Sequence, residues 1–119
     1  MVRKTAVKTL TPAGIDVEVR SYPPLKRDSI RKIYVGKKVD WRATFFTGWK
    51  ESKGRVGLAF RDKPLGMTIF GHVPLTDYPW LESLNVDEAV RIRGQIRKVD
   101  SMTIDLEILE LSVPQLAAV

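Results

Sequence analysis

Nine side chains carry the chemistry this sequence can offer: Trp49, Lys50, Lys53, Arg55, Arg61, Phe70, His72, Arg91 and Arg93. Two are large aromatic rings, six are cations and one is the single histidine. These types stack on planar rings and attract phosphate, and base stacking on an aromatic side chain is worth roughly 1–3 kcal/mol per base. Phosphate contacts add an attraction that weakens with salt. Between residues 55 and 61 the side chains of one parity are Arg55, Gly57, Ala59 and Arg61. Gly57 and Ala59 make a flat floor, and the arginines flank it. On the following segment, Thr68, Phe70 and His72 share one parity, which sets Phe70 beside that floor as a stacking surface. Trp49 supplies a second ring, and Lys50, Lys53, Arg55 and Arg61 hold phosphates. An alternative stays open: outward aromatics such as Phe46, Phe70 and Trp49 can be covered by an N-terminal hairpin, and a small outward residue such as Gly57 or Ala59 can simply admit a close neighbour.

Catalysis is not expected. With no cysteine there is no thiolate nucleophile, disulfide or thiolate metal site, and one histidine cannot form a histidine cluster. There is no Gly-rich phosphate loop, no HExxH and no G-x-S-x-G, so no metal and no cofactor is expected. His72 reads as a packing or hydrogen-bonding residue. Asp87-Glu88 reads as a solvated turn. The stripe Arg91, Arg93, Gln95, Arg97 has a nucleic-acid reading too. A three-residue turn at 100–102 sets Arg97 opposite Asp105 and Gln95 opposite Glu107, which makes Arg97 a sheet-stabilising partner. Arg91 and Arg93 are then the two without an obvious acidic neighbour.

The elements that must position these residues are mostly strands. Val90, Ile92, Gly94 and Ile96 alternate with Arg91, Arg93, Gln95 and Arg97, and Ile104, Leu106 and Ile108 alternate with Asp105 and Glu107. This period of two predicts a hairpin with one apolar and one charged face. Residues 39–49 form the longest strand, with Val39, Trp41, Ala43, Phe45 and Thr47 inward and Gly48 allowing a bend. Residues 55–61 and 67–73 follow, with Val56, Leu58, Phe60, Met67, Ile69 and Val73 inward. Between 76 and 85 a short helix is expected, with Asp77 as N-cap and Pro79 in its first turn. Trp41, Trp80, Phe45 and Phe60 read as core.

Upstream, residues 5–20 read as a hairpin, because Ile15, Val17 and Val19 alternate with Asp16, Glu18 and Arg20 after a turn signal at Thr11-Pro12-Ala13-Gly14. Residues 21–27, with Pro23-Pro24, read as a linker. A helix capped by Asp28 or Ser29 ends near Gly36, with Ile30, Ile33 and Tyr34 on one side. The organisation expected is a basic hairpin and linker over 1–27, a barrel over 28–112 and an apolar tail over 113–119.

The net charge is +6 over 119 residues, unevenly placed. Residues 1–38 hold ten Lys/Arg and three Asp/Glu, whereas residues 39–119 hold ten and eleven. The basic character belongs to the N-terminal third, with Arg3, Lys4, Lys8, Lys26, Arg27, Arg31 and Lys32. Such an arm attracts polyanions or simply solubilises. No apolar run approaches the roughly 20 residues of a membrane span. No apolar block follows the basic residues of the N-terminus. With the lack of cysteine, this sets the expectation of a cytoplasmic protein.

The order long strand, strand, strand, short helix, strand, strand resembles the OB-fold, a five-stranded Greek-key barrel. Within that architecture the chain resembles small bacterial domains grouped as tRNA-anticodon-binding-like OB-folds. The resemblance is carried by Tyr34-Val35-Gly36-Lys37-Lys38-Val39-Asp40-Trp41, by Leu84 with Val90-Arg91-Ile92-Arg93-Gly94-Gln95-Ile96, and by Thr103-Ile104-Asp105-Leu106, over about residues 34–112. Where such domains have a glycine just before strand four, this chain has Val86-Asp87-Glu88. The fold implied is all-β with one or two short helices. The site implied is the face of strands two and three, between the loops joining strands 1–2 and 4–5. The function expected is therefore a non-enzymatic module binding single-stranded nucleic acid. Two rivals are an assembly module that uses the N-terminal extension to pair with a protein or a second copy, and a small-ligand or oligosaccharide binder on the same face.

Overall fold

The computed structural model describes residues 10–62 and 66–114. Arg3, Lys4, Lys8, the middle of the turn at 62–66 and most of the apolar tail lie outside the described residues. Five strands close into one barrel: β1 (Lys38–Lys50), β2 (Arg55–Asp62), β3 (Met67–Pro74), β4 (Ala89–Val99) and β5 (Thr103–Ser112), hydrogen-bonded in the order β1-β2-β3-β5-β4. Every pairing is antiparallel except β3 with β5, which is parallel over Thr68–Phe70 and Thr103–Asp105. The alternation read in the sequence fills the interior. Phe60, Ile69, Val90, Ile92, Ile96, Ile104 and Leu106 are fully buried, with Trp41 and Phe45 beside them. Trp80 is half-buried against that core. Burial of each large apolar side chain contributes roughly 1.5–3 kcal/mol, the main term holding the barrel closed.

The hairpin expected over residues 5–20 is not found among the described residues, which begin at Leu10. Pro12–Arg20 is an α-helix, α1. Thr11 is its extended N-cap and its Oγ1 accepts from the Gly14 N–H at 3.0 Å, and Pro12 takes the first helical position, where its missing N–H costs nothing. Ile15 and Val19 lie one turn apart and are buried, while Val17 is 62% exposed. Residues 15, 17 and 19 satisfy a period of two as a list, but only the outer pair shares a helix face. The Asp16–Arg20 ion pair at 2.9 Å closes the outside of the same turn. The helix docks on the barrel: the Trp41 Nε1 donates to the Leu10 carbonyl at 2.6 Å, Tyr34 and Glu18 share a hydrogen bond, and Asp62 accepts from the Ala13 N–H. Burial nevertheless raises the Asp62 carboxyl above its ordinary value. Phe46 and Trp49 stay 37% and 39% exposed.

A second helix, α2 (Arg27–Ile33), follows a single 3-10 turn at Pro24–Lys26. Lys26, not Asp28 or Ser29, holds its N-cap position, without a side-chain cap. Tyr34 is buried and Ile30 is partly so, whereas Ile33 is 61% exposed, so the apolar side is narrower than expected. The helix expected between β3 and β4 is two 3-10 turns, Leu75–Asp77 and Pro79–Ser83, and Asp77 caps neither. Proline keeps the residue before it out of the helical region, and Tyr78 accordingly breaks the segment with φ −141° and ψ 64°.

Three register shifts, one between β1 and β2 and two between β4 and β5 (the first of these at Arg93–Gly94), set which side chains face one another on the outside of the barrel. The register of β1 against β2 shifts between Phe45 and Thr47, so the inward parity ends at Phe45. Thr47 pairs with Ala59 and Trp49 with Gly57, both outward, contrary to the inward place expected for Thr47. The register of β4 against β5 shifts between Ile96 and Lys98, so Lys98 stands opposite Asp105, not Arg97. Gln95 does face Glu107.

Candidate nucleic-acid interface

The outer face of β2 and β3 is built around Trp49. Across the strand pair its ring lies over Gly57, where any side chain would overlap it. The floor is therefore not open: Gly57 admits a neighbour, and that neighbour is Trp49. Ala59 is buried beside it. Trp49 remains 39% exposed. Its centroid is 6.4 Å from that of Phe70, with the planes tilted 60°, and 6.3 Å from the His72 ring, edge to face at 81°. Both are spacings at which aromatic pairs attract.

Glu51 ties this group together. Its Oε2 accepts from the Trp49 Nε1 at 3.0 Å and lies 2.8 Å from the His72 Nδ1. His72 thus has the hydrogen-bonding role read for it. Glu51 is not among the residues that the sequence singles out, although a signal exists: it stands two residues after Trp49, hence on the same side of an extended chain.

The cations fall into two sets. Lys53 sits at a left-handed backbone position (φ 61°, ψ 33°) in the 3-10 turn Ser52–Gly54, and Arg55 opens β2; both are exposed. Neither has an ion pair among the described residues. Lys50 is paired with Glu82 at 3.3 Å. The Arg61 guanidinium carbon stacks 3.7 Å above the Phe46 ring centroid, a cation–π contact.

Arg91 and Arg93 lie across the barrel, on β4, and each has the acidic neighbour that the sequence did not reveal. Arg91 makes a bidentate pair with Asp40 of β1, at 2.9 and 2.6 Å. Its hydrogen bond holds the Asp40 carboxyl below the usual range against the opposing effect of burial, and the charges of Arg91, Arg93 and Arg42 add to the lowering. Arg93 pairs with Glu110 of β5. The structure therefore brings Trp49, Phe70, His72 and Arg55 together with Glu51, sets Lys53, Lys50 and Arg61 at the margins, and leaves Arg91 and Arg93 elsewhere.

The barrel is similar in fold to several solved structures, three of them as follows. Asparaginyl-tRNA synthetase from Pyrococcus horikoshii, complexed with asparaginyl-adenylate, superposes with a TM-score of 0.56 and 16% identity, covering 70% of this chain and 20% of the synthetase. A lipoprotein from Klebsiella pneumoniae, to which nucleic-acid binding is provisionally attributed, gives 0.58 and 18%, covering 92% of this chain and 100% of that one. OBody AM1L10, bound to hen egg-white lysozyme, gives 0.54 and 12%, covering 72% and 86%. The barrel is an OB-fold. At these identities the likeness is one of OB-fold architecture, which hosts many unrelated functions. The chain spans about a fifth of the length of the synthetase. No protein-family model matches the chain, and no curated protein matches its sequence.

Proposed function

We propose that this OB-fold is a non-catalytic module that binds single-stranded nucleic acid on the outer face of β2 and β3. The observation that carries the reading is the group of part-exposed rings, Trp49, Phe70 and His72, edged by Arg55 and Lys53, which have no ion pair among the described residues. Rings of this kind stack successive bases whatever their identity, and nearby cations follow the backbone. The hydrogen bond from Trp49 to Glu51 and its packing on Gly57 hold the ring in place before any ligand arrives. Two of the structural neighbours lend support by name, one being a tRNA synthetase and one provisionally nucleic acid-binding.

The test is fluorescence anisotropy of a labelled mixed-sequence single strand, as DNA and as RNA, at low and then at physiological salt. The expected result is salt-sensitive binding, weakened by Phe70→Ala and accompanied by quenching of tryptophan emission. Absence of binding at low salt, or binding indifferent to both Phe70→Ala and Trp49→Ala, overturns the reading.

A second reading has its own observation. Val17, Leu25, Ile33 and Val35 are exposed apolar side chains on or beside the N-terminal helices, and one neighbour is bound to a protein. Such side chains suit a protein partner or a second copy. A salt-insensitive dimer mass in light scattering, lost on Leu25→Glu with Ile33→Glu, supports it; a monomer mass at all concentrations refutes self-association.

A further inference from the structure

Arg97 stands apart from the other cations of β4. Arg91 and Arg93 are ion-paired, and Lys98 both faces Asp105 in register and approaches Asp100 at 3.7 Å. Arg97 occupies the bulge between Ile96 and Lys98 and has no ion pair among the described residues. Its side chain borders a cleft of about 310 Å³ between β3 and β5. The cleft follows from the topology: the parallel pairing stops after Phe70 and Asp105, Ile108 packs over Gly71, and beyond that point the two strands diverge. Arg55 reaches the same cleft from β2 and His72 from β3, with Tyr78, Asp77 and Glu107 completing its rim.

Two exposed guanidiniums without carboxylate partners among the described residues, converging from different strands, make a place for a phosphate, since planar forked donors match its oxygens. Asp77 and Glu107 balance much of the positive charge. That disfavours a bare multivalent anion and favours a group that brings hydrogen-bond donors along with its phosphate, as a nucleotide unit does. His72 belongs both to this cleft and to the Trp49 ring group, so the two places are continuous.

We propose that Arg97 and Arg55 together bind a backbone phosphate of the single strand in the β3–β5 cleft, next to the bases stacked on Trp49 and Phe70. This rests on the single-strand reading and gives the bound strand its path, from the rings past His72 towards β5.

The deciding measurement is the slope of log K against log salt for the whole chain with the labelled single strand. A phosphate contact contributes about 0.7 to that slope for single strands. Arg97→Ala is expected to flatten the slope by about 0.7 and weaken binding by about tenfold at low salt, the weight of one charge-assisted hydrogen bond. Arg97→Lys should restore the slope, because the charge returns, but only part of the affinity. Lys98→Ala, one residue away, should leave both nearly unchanged. Phe70→Ala should weaken binding without changing the slope. If Phe70→Ala weakens binding but Arg97→Ala leaves slope and affinity alone, the ring group stands and the phosphate cleft is overturned. If Arg97→Ala flattens the slope while Phe70→Ala and Trp49→Ala do nothing, the cleft stands and the stacking reading falls. Equal effects of Arg97→Ala and Lys98→Ala reduce the site to diffuse charge, and a wild type that binds no strand overturns it with the reading it rests on.

Discussion

On the β1–β4–β5 side of the barrel, Arg91 and Arg93 each meet a carboxylate from a neighbouring strand, Asp40 and Glu110. On the β2–β3 side, Arg55 and Arg61 meet none among the described residues: the facing positions on β3 are Pro74 and Thr68, with Phe70 and His72 between them. Both sides look alike as sequence, with basic residues alternating along an amphipathic strand. What separates them is the strand that lies next door. A guanidinium beside a carboxylate is a sheet fastener, already occupied and largely neutralised. A guanidinium beside rings and a gap is left with its hydrogen bonds to give. Arginine count is therefore a poor guide to where an OB-fold takes an anion, and register is a good one.

The contrast can be broken most forcefully at Phe70. Phe70→Ala should cost roughly 1–3 kcal/mol of binding, or about 5- to 150-fold in affinity, whereas Arg91→Ala and Arg93→Ala should change it far less; anisotropy titrations of the three variants side by side decide. Comparable losses from all three erase the distinction between the faces. The next effect is at Gly57. A methyl group there overlaps the Trp49 ring, so Gly57→Ala should destabilise by about 1–3 kcal/mol, as overpacking does. It should also shift tryptophan emission to the red as the ring is pushed into water. Urea denaturation followed by fluorescence measures both.

Glu51→Ala removes the acceptor shared by Trp49 and His72. A net loss of about 0.5–1.5 kcal/mol in stability is expected for the hydrogen bond to Trp49, together with weaker strand binding, because the ring is no longer held in place. Unchanged emission and unchanged affinity would show that packing on Gly57 alone orients the ring.

The smallest effects sharpen the comparison through pH. The Asp40 carboxyl is lowered by Arg91, so its contribution is present above the ordinary carboxylate value and disappears as pH falls through the lowered one. The stability gap between wild type and Asp40→Asn should close over that acid window. Asp62 behaves oppositely. Its carboxyl is raised by burial, so the folded state holds the proton more tightly, and stability falls as pH climbs from the ordinary value through the raised one. Asp62→Asn, which keeps an acceptor for the Ala13 N–H, should remove that fall. Urea midpoints of both variants at strongly acid and at neutral pH read the two signs directly.

Much of the barrel is legible in the sequence. Strands β4 and β5 lie nearly residue for residue where alternation puts them, and the buried parity of β2 and β3 is the one expected, since a period of two in apolar side chains is a local property that a sheet with one buried face enforces. The N-terminal helix escapes that reading although its start is written plainly: Thr11 followed by Pro12 is an N-cap and a first helical residue. The spacing of Ile15, Val17 and Val19 fits two periods, and only contact with the barrel core decides that Val17 stays outside. The candidate site divides in the same way. Trp49, Phe70, His72 and Arg55 emerge from residue type and parity. Glu51 does not, because a carboxylate beside an aromatic ring carries no signal until a third residue shares it.

Alternation and turn residues were enough for five strands and an OB-like order, and for their inward faces except past Phe45 in β1, because each of those features is set by neighbours within a few positions along the chain. The partner of each arginine was not contained in any such window. Arg91 is matched to Asp40 across 51 positions of sequence, and Arg93 to Glu110 by a strand that pairs only after a turn. Arg97 is released from its expected partner by one extra residue in β4. A single bulge shifts which side chains face one another, and the energy difference that places it is spread over two whole strands and the core beneath them. Closure of the barrel, and nothing local, decided which charges are spent on the sheet and which remain for a ligand.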